Sequence, residues 1–312
     1  MPTIDALQAV RSVRATLAVA ALCHAALAWT PPAAAQSTAG EAPPEGSVSG
    51  MGNINLYPKR VVIQDRQRIA TVGLFNRSGA QGNYEIVLND MMMTPAGTIV
   101  DLGSVTDEAQ RARVRTASAL LRWSPRRIAL PSNEAQTIRI MARIPPDLPP
   151  GEYRTHFSVV QVPAEAAGGL SIEDASGRTS GSGIGVRIVP RFGITIPIIV
   201  RVGETTLSTD LRDLSVKGLG NGRSGIALTI TRSGTRSAFG NITVTAGGSS
   251  KPIAVIKGIG VYTELDHRPV TVPINPEVPA STYARGARLT VTYTDDDHRP
   301  GTILARQEFV VP

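Results

Sequence analysis

The 312-residue chain contains one cysteine, Cys23. It lies in an N-terminal segment expected to be removed, which leaves the mature chain with none. Disulfides, thiolate catalysis and cysteine metal sites are thereby excluded. Aromatic residues make up only 4% of the chain, too few for the stacking platforms that hold single-stranded nucleic acid. The formal charge is +7, but the basic residues are scattered: Arg139, Arg187, Arg191 and Arg201 each stand alone between apolar positions. Such spacing marks the solvated face of a sheet rather than a phosphate track, so nucleic acid is not an expected partner.

Long hydrophobic runs are also missing. The best one, Thr16 to Trp29, is about 14 residues long, short of the roughly 20 that a spanning helix needs. Arg11 and Arg14 precede it, and Pro31-Pro32-Ala33-Ala34-Ala35 follows with small residues at the A-x-A positions. This is the pattern of a cleaved secretory signal over residues 1–35. Export without stable membrane insertion is the expectation. Losing Arg11, Arg14 and Asp5 leaves a charge of +6 on about 277 residues, a length that suits two domains held together by their cores alone.

Catalytic signatures are equally scarce. There is no Walker loop and no G-x-S-x-G elbow. Gly220-x-Gly222-x-x-Gly225 matches a dinucleotide fingerprint by letter, but strand-like alternation follows where a helix must begin. Of the four histidines, His24 leaves with the signal, His156 sits within a strand pattern, and His267 and His298 each lie in an Asp-His-Arg-Pro turn. Asp before such turns is ordinary turn chemistry, and Asp295-Asp296-Asp297 lacks the alternating oxygen ligands of a calcium loop. A non-enzyme without cofactor or metal is expected.

What the chain does have is alternation of period two, the mark of half-buried strands. Residues 36–50, rich in Ala, Gly, Pro, Ser and Glu, read as a disordered leader. Val61–Ile63, Ile69–Phe75, Tyr84 to Leu88, Arg127–Leu130, Thr137–Ala142 and Tyr153–Val162 follow as strands. Residues 106–122 are the one helical candidate, with Thr106 and Asp107 as caps. Met91-Met92-Met93 reads as a strand end with one or two side chains buried. Residues 163–182 form an Ala/Gly/Ser-rich loop. A second β-rich region begins at Gly203 and closes with a hairpin of Leu289–Tyr293 and Ile303–Val311. Tyr153 and Tyr283 each follow a Pro-x-x-Pro segment at the same distance and precede a strand. Such corner tyrosines belong to immunoglobulin-like sandwiches. The fold expected is all-β, two tandem immunoglobulin-like sandwiches over residues 51–202 and 203–312.

One segment exceeds what a sandwich strand needs. From Ile184 to Val200 nearly every even position is apolar: Ile184, Val186, Ile188, Phe192, Ile194, Ile196, Ile198 and Val200, with Pro190 the interruption. A typical strand has only about five or six residues.

Five pieces, in order, resemble the PapD-like periplasmic pilus-assembly chaperones. They are Leu56-Tyr57-Pro58-Lys59-Arg60 with Val61-Val62, the strand to Asn76, Ser124 to Ile128, Gln136 to Ile140, and Pro149 to Phe157. Together with the long ribbon they cover residues 54–201. The resemblance implies a periplasmic chaperone that binds pilus subunits by donor-strand complementation and delivers them to an outer-membrane usher. The ribbon would be the donor, with Ile184, Val186, Ile188 and Phe192 as plugs and Ile194, Ile196 and Ile198 nearer a cleft between the domains. It also implies a basic pair that anchors the subunit's terminal carboxylate. Arg60 falls on the first member. Pro197 stands where the family has a lysine, and Arg191 or Arg201 is left to substitute. The alternative is a structural or adhesive surface protein built of immunoglobulin-like modules, in which the ribbon would be paired on both sides.

Overall fold

The computed structural model describes residues 48–50, 53–162 and 192–312. Those residues all fall within one compact unit, Pro43–Pro312. Ile184, Val186, Ile188 and Arg191 lie outside the described residues.

Two β-sandwiches follow one another, each around its own core. In the first, one sheet orders β1 (Val48–Gly50), β2 (Ile54–Tyr57), β4 (Ile69–Asn76), β10 (Ala135–Ala142) and β8 (Leu121–Ser124). The facing sheet orders β3 (Val61–Ile63), β12 (Gly193–Val202), β11 (Gly151–Val162), β5 (Gly82–Asn89) and β9 (Arg127–Leu130). A small ribbon of β6 (Met91–Met93) and β7 (Ile99–Asp101) projects beside them, with Met92 and Met93 buried. The second sandwich packs β13 (Ser208–Gly220), β14 (Arg223–Ser233) and β17 (His267–Pro273) against β16 (Pro252–Val261), β15 (Ala238–Ala246), β18 (Arg288–Asp295) and β19 (Ile303–Val310). The Gly220-Asn221-Gly222 segment is the turn between β13 and β14, and all three residues have positive φ. Glycine tolerates that region best.

The expected helix over 106–122 is much shorter. Helix α1 spans only Glu108–Ala112, capped by the Asp107 carboxylate, which accepts from the Ala109 and Gln110 N–H groups at 2.9 and 3.2 Å. Beyond it the chain is pulled onto β11: Arg154 N–H donates to Arg115 O at 2.8 Å, and Ala117 N–H donates to Arg154 O at 3.0 Å. Those bonds, with Val114, Ala117, Leu120 and Leu121 buried, outweigh a helix propensity worth only tenths of a kcal/mol per residue.

Tyr153 makes the corner bond, its hydroxyl donating to Pro149 O at 2.8 Å. Tyr283 lies in a 3-10 turn, Ala280–Tyr283, and packs on the second core. Its hydroxyl makes no hydrogen bond among the described residues, so the echo in sequence is not an echo in bonding.

β11 and β12 form the ladder on which the rest is built. Tyr153 faces Val200, Thr155 faces Ile198, Phe157 faces Ile196 and Val159 faces Ile194, and these residues point into the sandwich. The intervening pairs, Glu152 with Arg201, Arg154 with Ile199, His156 with Pro197 and Ser158 with Thr195, point out of it. Alternation on a pleated strand dictates this division. Ile194 and Ile196, 5% and 1% exposed, are members of the first core. Their side chains, expected nearer a cleft between the domains, fill this protein's own sandwich. Replacing Ile196 with alanine should cost about 2–5 kcal/mol through the cavity left behind. Replacing its exposed neighbour Thr195 with alanine should cost about 1 kcal/mol or less. Urea denaturation of the two variants checks which face of β12 is the core face.

Candidate functional site

The outward face of the β11–β12 ladder carries an unusual load of buried polarity. Glu152, Arg154, His156, Ser158 and Arg201 are all less than 5% exposed. Burying charge is costly unless each group is paired, and the second sandwich supplies the pairs. Arg201 Nε donates to Glu152 Oε2 at 3.1 Å, and its Nη2 bonds Asp297 Oδ2 from the β18–β19 turn. Burial alone would lower the Arg201 pKa, but the Glu152 and Asp297 carboxylates more than offset it and hold the value above the ordinary one. Arg154 pairs with both oxygens of Glu264, at 3.1 and 2.6 Å, and Glu264 Oε1 also accepts from the Met93 N–H at 2.8 Å.

Arg60, one residue before β3, meets the same turn. Its Nη1 lies 3.0 Å from Asp297 Oδ2, both side chains being nearly buried. The guanidinium lies over the Phe239 ring at 3.7 Å, as that of Arg154 lies over Tyr262 at 3.7 Å. Each arginine thus crosses from the first sandwich to a carboxylate and an aromatic face of the second. They differ in one respect. Arg154 makes aligned hydrogen bonds, whereas all three Arg60 nitrogens are buried and none has an aligned hydrogen-bond partner among the described residues. Arg60 also lines a cleft of about 640 Å³ with Tyr57, Pro58 and Ile69.

Arg60 and Arg201 are therefore brought together at the Asp297 carboxylate. Arg201, a residue left to substitute for the family's lysine, is bonded to two carboxylates, those of Glu152 and Asp297. The partners Glu152, Glu264 and Asp297 were not legible as such in the sequence. Asp295, by contrast, does the turn work expected of it: its oxygens accept from the N–H groups of Asp297, His298 and Arg299 at 2.9, 3.2 and 3.0 Å.

Edge pairing is the second feature of the site. β12 is bonded to β11 along its whole length, Gly193 to Val202. On its other side β3 pairs in parallel with Ile198, Ile199 and Val200 only. Gly193 to Pro197 have no strand on that side among the described residues. Gln161 N–H donates to Phe192 O at 2.8 Å, which sets the alternation. Even-numbered residues turn their backbone groups to β11, and Gly193, Thr195 and Pro197 turn theirs to the open edge. Pro197 has no N–H to offer and sits where the edge is unpaired, the usual place for a strand proline. Gly193 and Thr195 are exposed there.

No protein-family model matches the chain, and no curated protein matches it. Among solved structures, it is similar to the YadV chaperone at 15% identity and a TM-score of 0.41, covering 83% of this chain and all of that one. The CupB2 chaperone of Pseudomonas aeruginosa is similar at 12% identity and 0.39, covering 82% of this chain and all of that one. A Salmonella enterica complex of the SafA pilin with the SafB chaperone gives 15% and 0.38, over 85% of this chain and 99% of the matched one. These solved structures contain chaperones.

The buried charges make the cost of mutation uneven. Glu264→Ala strands Arg154 and should cost about 3–5 kcal/mol. Asp266→Ala, which removes the half-exposed partner of Arg113, should cost about 1 kcal/mol or less; denaturation midpoints compare the two. His156 is held neutral by burial and by the nearby Arg154 and Arg60 charges, which lower its pKa from 6.5 to about 3. Below pH 6.5 the unfolded chain takes up a proton that the folded one refuses. The stability it contributes is complete above pH 6.5 and drains away as pH falls toward 3. The loss attributable to His156 between pH 7 and 5 should be about 2 kcal/mol, and His156→Gln should remove that part of the slope in urea titrations.

Proposed function

We propose that this protein is a periplasmic chaperone that holds pilus subunits by lending them a β-edge and passes them to an outer-membrane usher. The observation that carries this reading is the open side of β12 from Gly193 to Pro197, continuous with a strand fully bonded on its other side. An exposed strand edge is a template for another chain, and proteins that have no use for one cover it or blunt it. A subunit strand laid along this edge would take the N–H and C=O groups of Gly193 and Thr195, giving strand addition with main-chain affinity.

In the sequence, the apolar alternation of Ile184, Val186, Ile188 and Phe192 leads into the even positions of β12. In this reading those residues enter the client's groove, while Ile194 and Ile196 anchor the donor in its own sandwich. Arg60, buried beside the cleft it helps to line, is the candidate anchor for the client's terminal carboxylate. A structural or adhesive module would close β12 on both sides, and the stretch from Gly193 to Pro197, without a strand partner among the described residues, speaks against it. The reading describes binding rather than catalysis.

Co-expression with a pilin-type subunit tests it. Wild-type protein should bring the subunit through purification. Phe192→Asp should lower recovery about tenfold or more, the worth of one buried aromatic side chain. Thr195→Pro, which removes an edge N–H without touching the core, should lower it several-fold. Undiminished recovery with both variants would refute the edge as the binding site.

A further inference from the structure

Asp297 is presented by a turn that is itself fixed in place. The Asp295 carboxylate takes three successive N–H groups of that turn, and Asp296 N–H donates to Phe239 O at 3.0 Å. The turn therefore delivers one carboxylate, nearly buried, between Arg60 and Arg201. The two arginines hold it differently. Arg201 bonds it directly and is paired with Glu152 as well. Arg60 only approaches it, at 3.0 Å, with no aligned hydrogen bond from any of its nitrogens.

We infer that Asp297 is an internal stand-in for a client's terminal carboxylate, occupying Arg60 in the client-free protein and yielding it by exchange. The inference rests on the chaperone reading above and adds to it what the anchor does before a client arrives. The exchange is cheap on the protein's side. When Arg60 turns away, Asp297 keeps its bond to Arg201, so no buried carboxylate is orphaned. Arg60 gains in return, because a carboxylate able to align with its N–H fork makes charge-assisted bonds that Asp297 does not. Without Asp297 the guanidinium would wait buried and uncompensated, a costlier state. The stand-in also sets selectivity: a chain ending in a neutral group cannot outcompete an internal carboxylate.

The probe is a synthetic peptide of alternating valine and threonine, made with a free terminal carboxylate and as its amide. Binding of both forms to the full mature protein is measured by calorimetry. Wild-type protein should prefer the free carboxylate. Asp297→Asn should strengthen binding of that form about fivefold and leave the amide unchanged. Asp296→Asn, on the same turn but paired with exposed Lys59, should change neither. Arg60→Gln leaves Asp297 on Arg201 and should abolish the preference for the carboxylate, which keeps the test decisive if Asp297→Asn does not fold. Carboxylate binding unchanged or weakened in Asp297→Asn overturns the stand-in while leaving the chaperone reading intact, as does a preference that survives Arg60→Gln. If neither peptide form binds wild-type protein, the chaperone reading falls and the stand-in falls with it.

Discussion

The structure depends on an asymmetry in the bonding of one strand. β12 satisfies β11 over ten residues and β3 over three. Its inward side chains complete the first core, its outward Arg201 reaches the second sandwich, and the edge from Gly193 to Pro197 has no strand partner among the described residues. Because a strand's faces and edges are set by the same alternation, these three uses do not compete. A one-residue slip would exchange all of them at once. It would drive Arg201 into the core and lift Ile196 out of it.

The contact between the sandwiches is made of direction-sensitive bonds rather than an oily surface. Arg60 with Phe239 and Asp297, and Arg154 with Tyr262 and Glu264, repeat one arrangement: a cation backed by a ring and ended by a carboxylate. Apolar faces tolerate sliding, whereas buried ion pairs do not, since misalignment leaves charge unpaired in a medium that cannot screen it. The arrangement sets Arg60 against Phe239 and Asp297 of the second sandwich.

Much of the fold was legible because alternation of apolar residues reports burial directly. Val72 and Leu74 in β4, Ile138 and Ile140 in β10, and the even positions of β12 are core residues as their spacing predicts. The corner at Tyr153 was legible too. The helix over 106–122 was overread, since nothing local announces that Thr116 will bridge to Arg154. That Ile194 and Ile196 belong to the first core was not legible, because alternation shows that a face is apolar but not what covers it. The carboxylates of the site escaped notice for a related reason. Asp297 and Glu264 lie 96 and 110 residues from Arg201 and Arg154, and an Asp within the Asp295-Asp296-Asp297 turn looks like turn chemistry. The available signal was Glu152, an acidic residue placed in an otherwise buried strand, where a cation had to be opposite.

Amide hydrogen exchange, resolved to single residues along β12, probes the lent edge most directly. In the free protein the Gly193 and Thr195 amides should exchange fast while those of Ile194 and Ile196, bonded to β11, are protected, and a bound subunit should slow the first pair to the level of the second. Strong protection of Gly193 and Thr195 in the free protein, or no change when a subunit binds, would contradict the account.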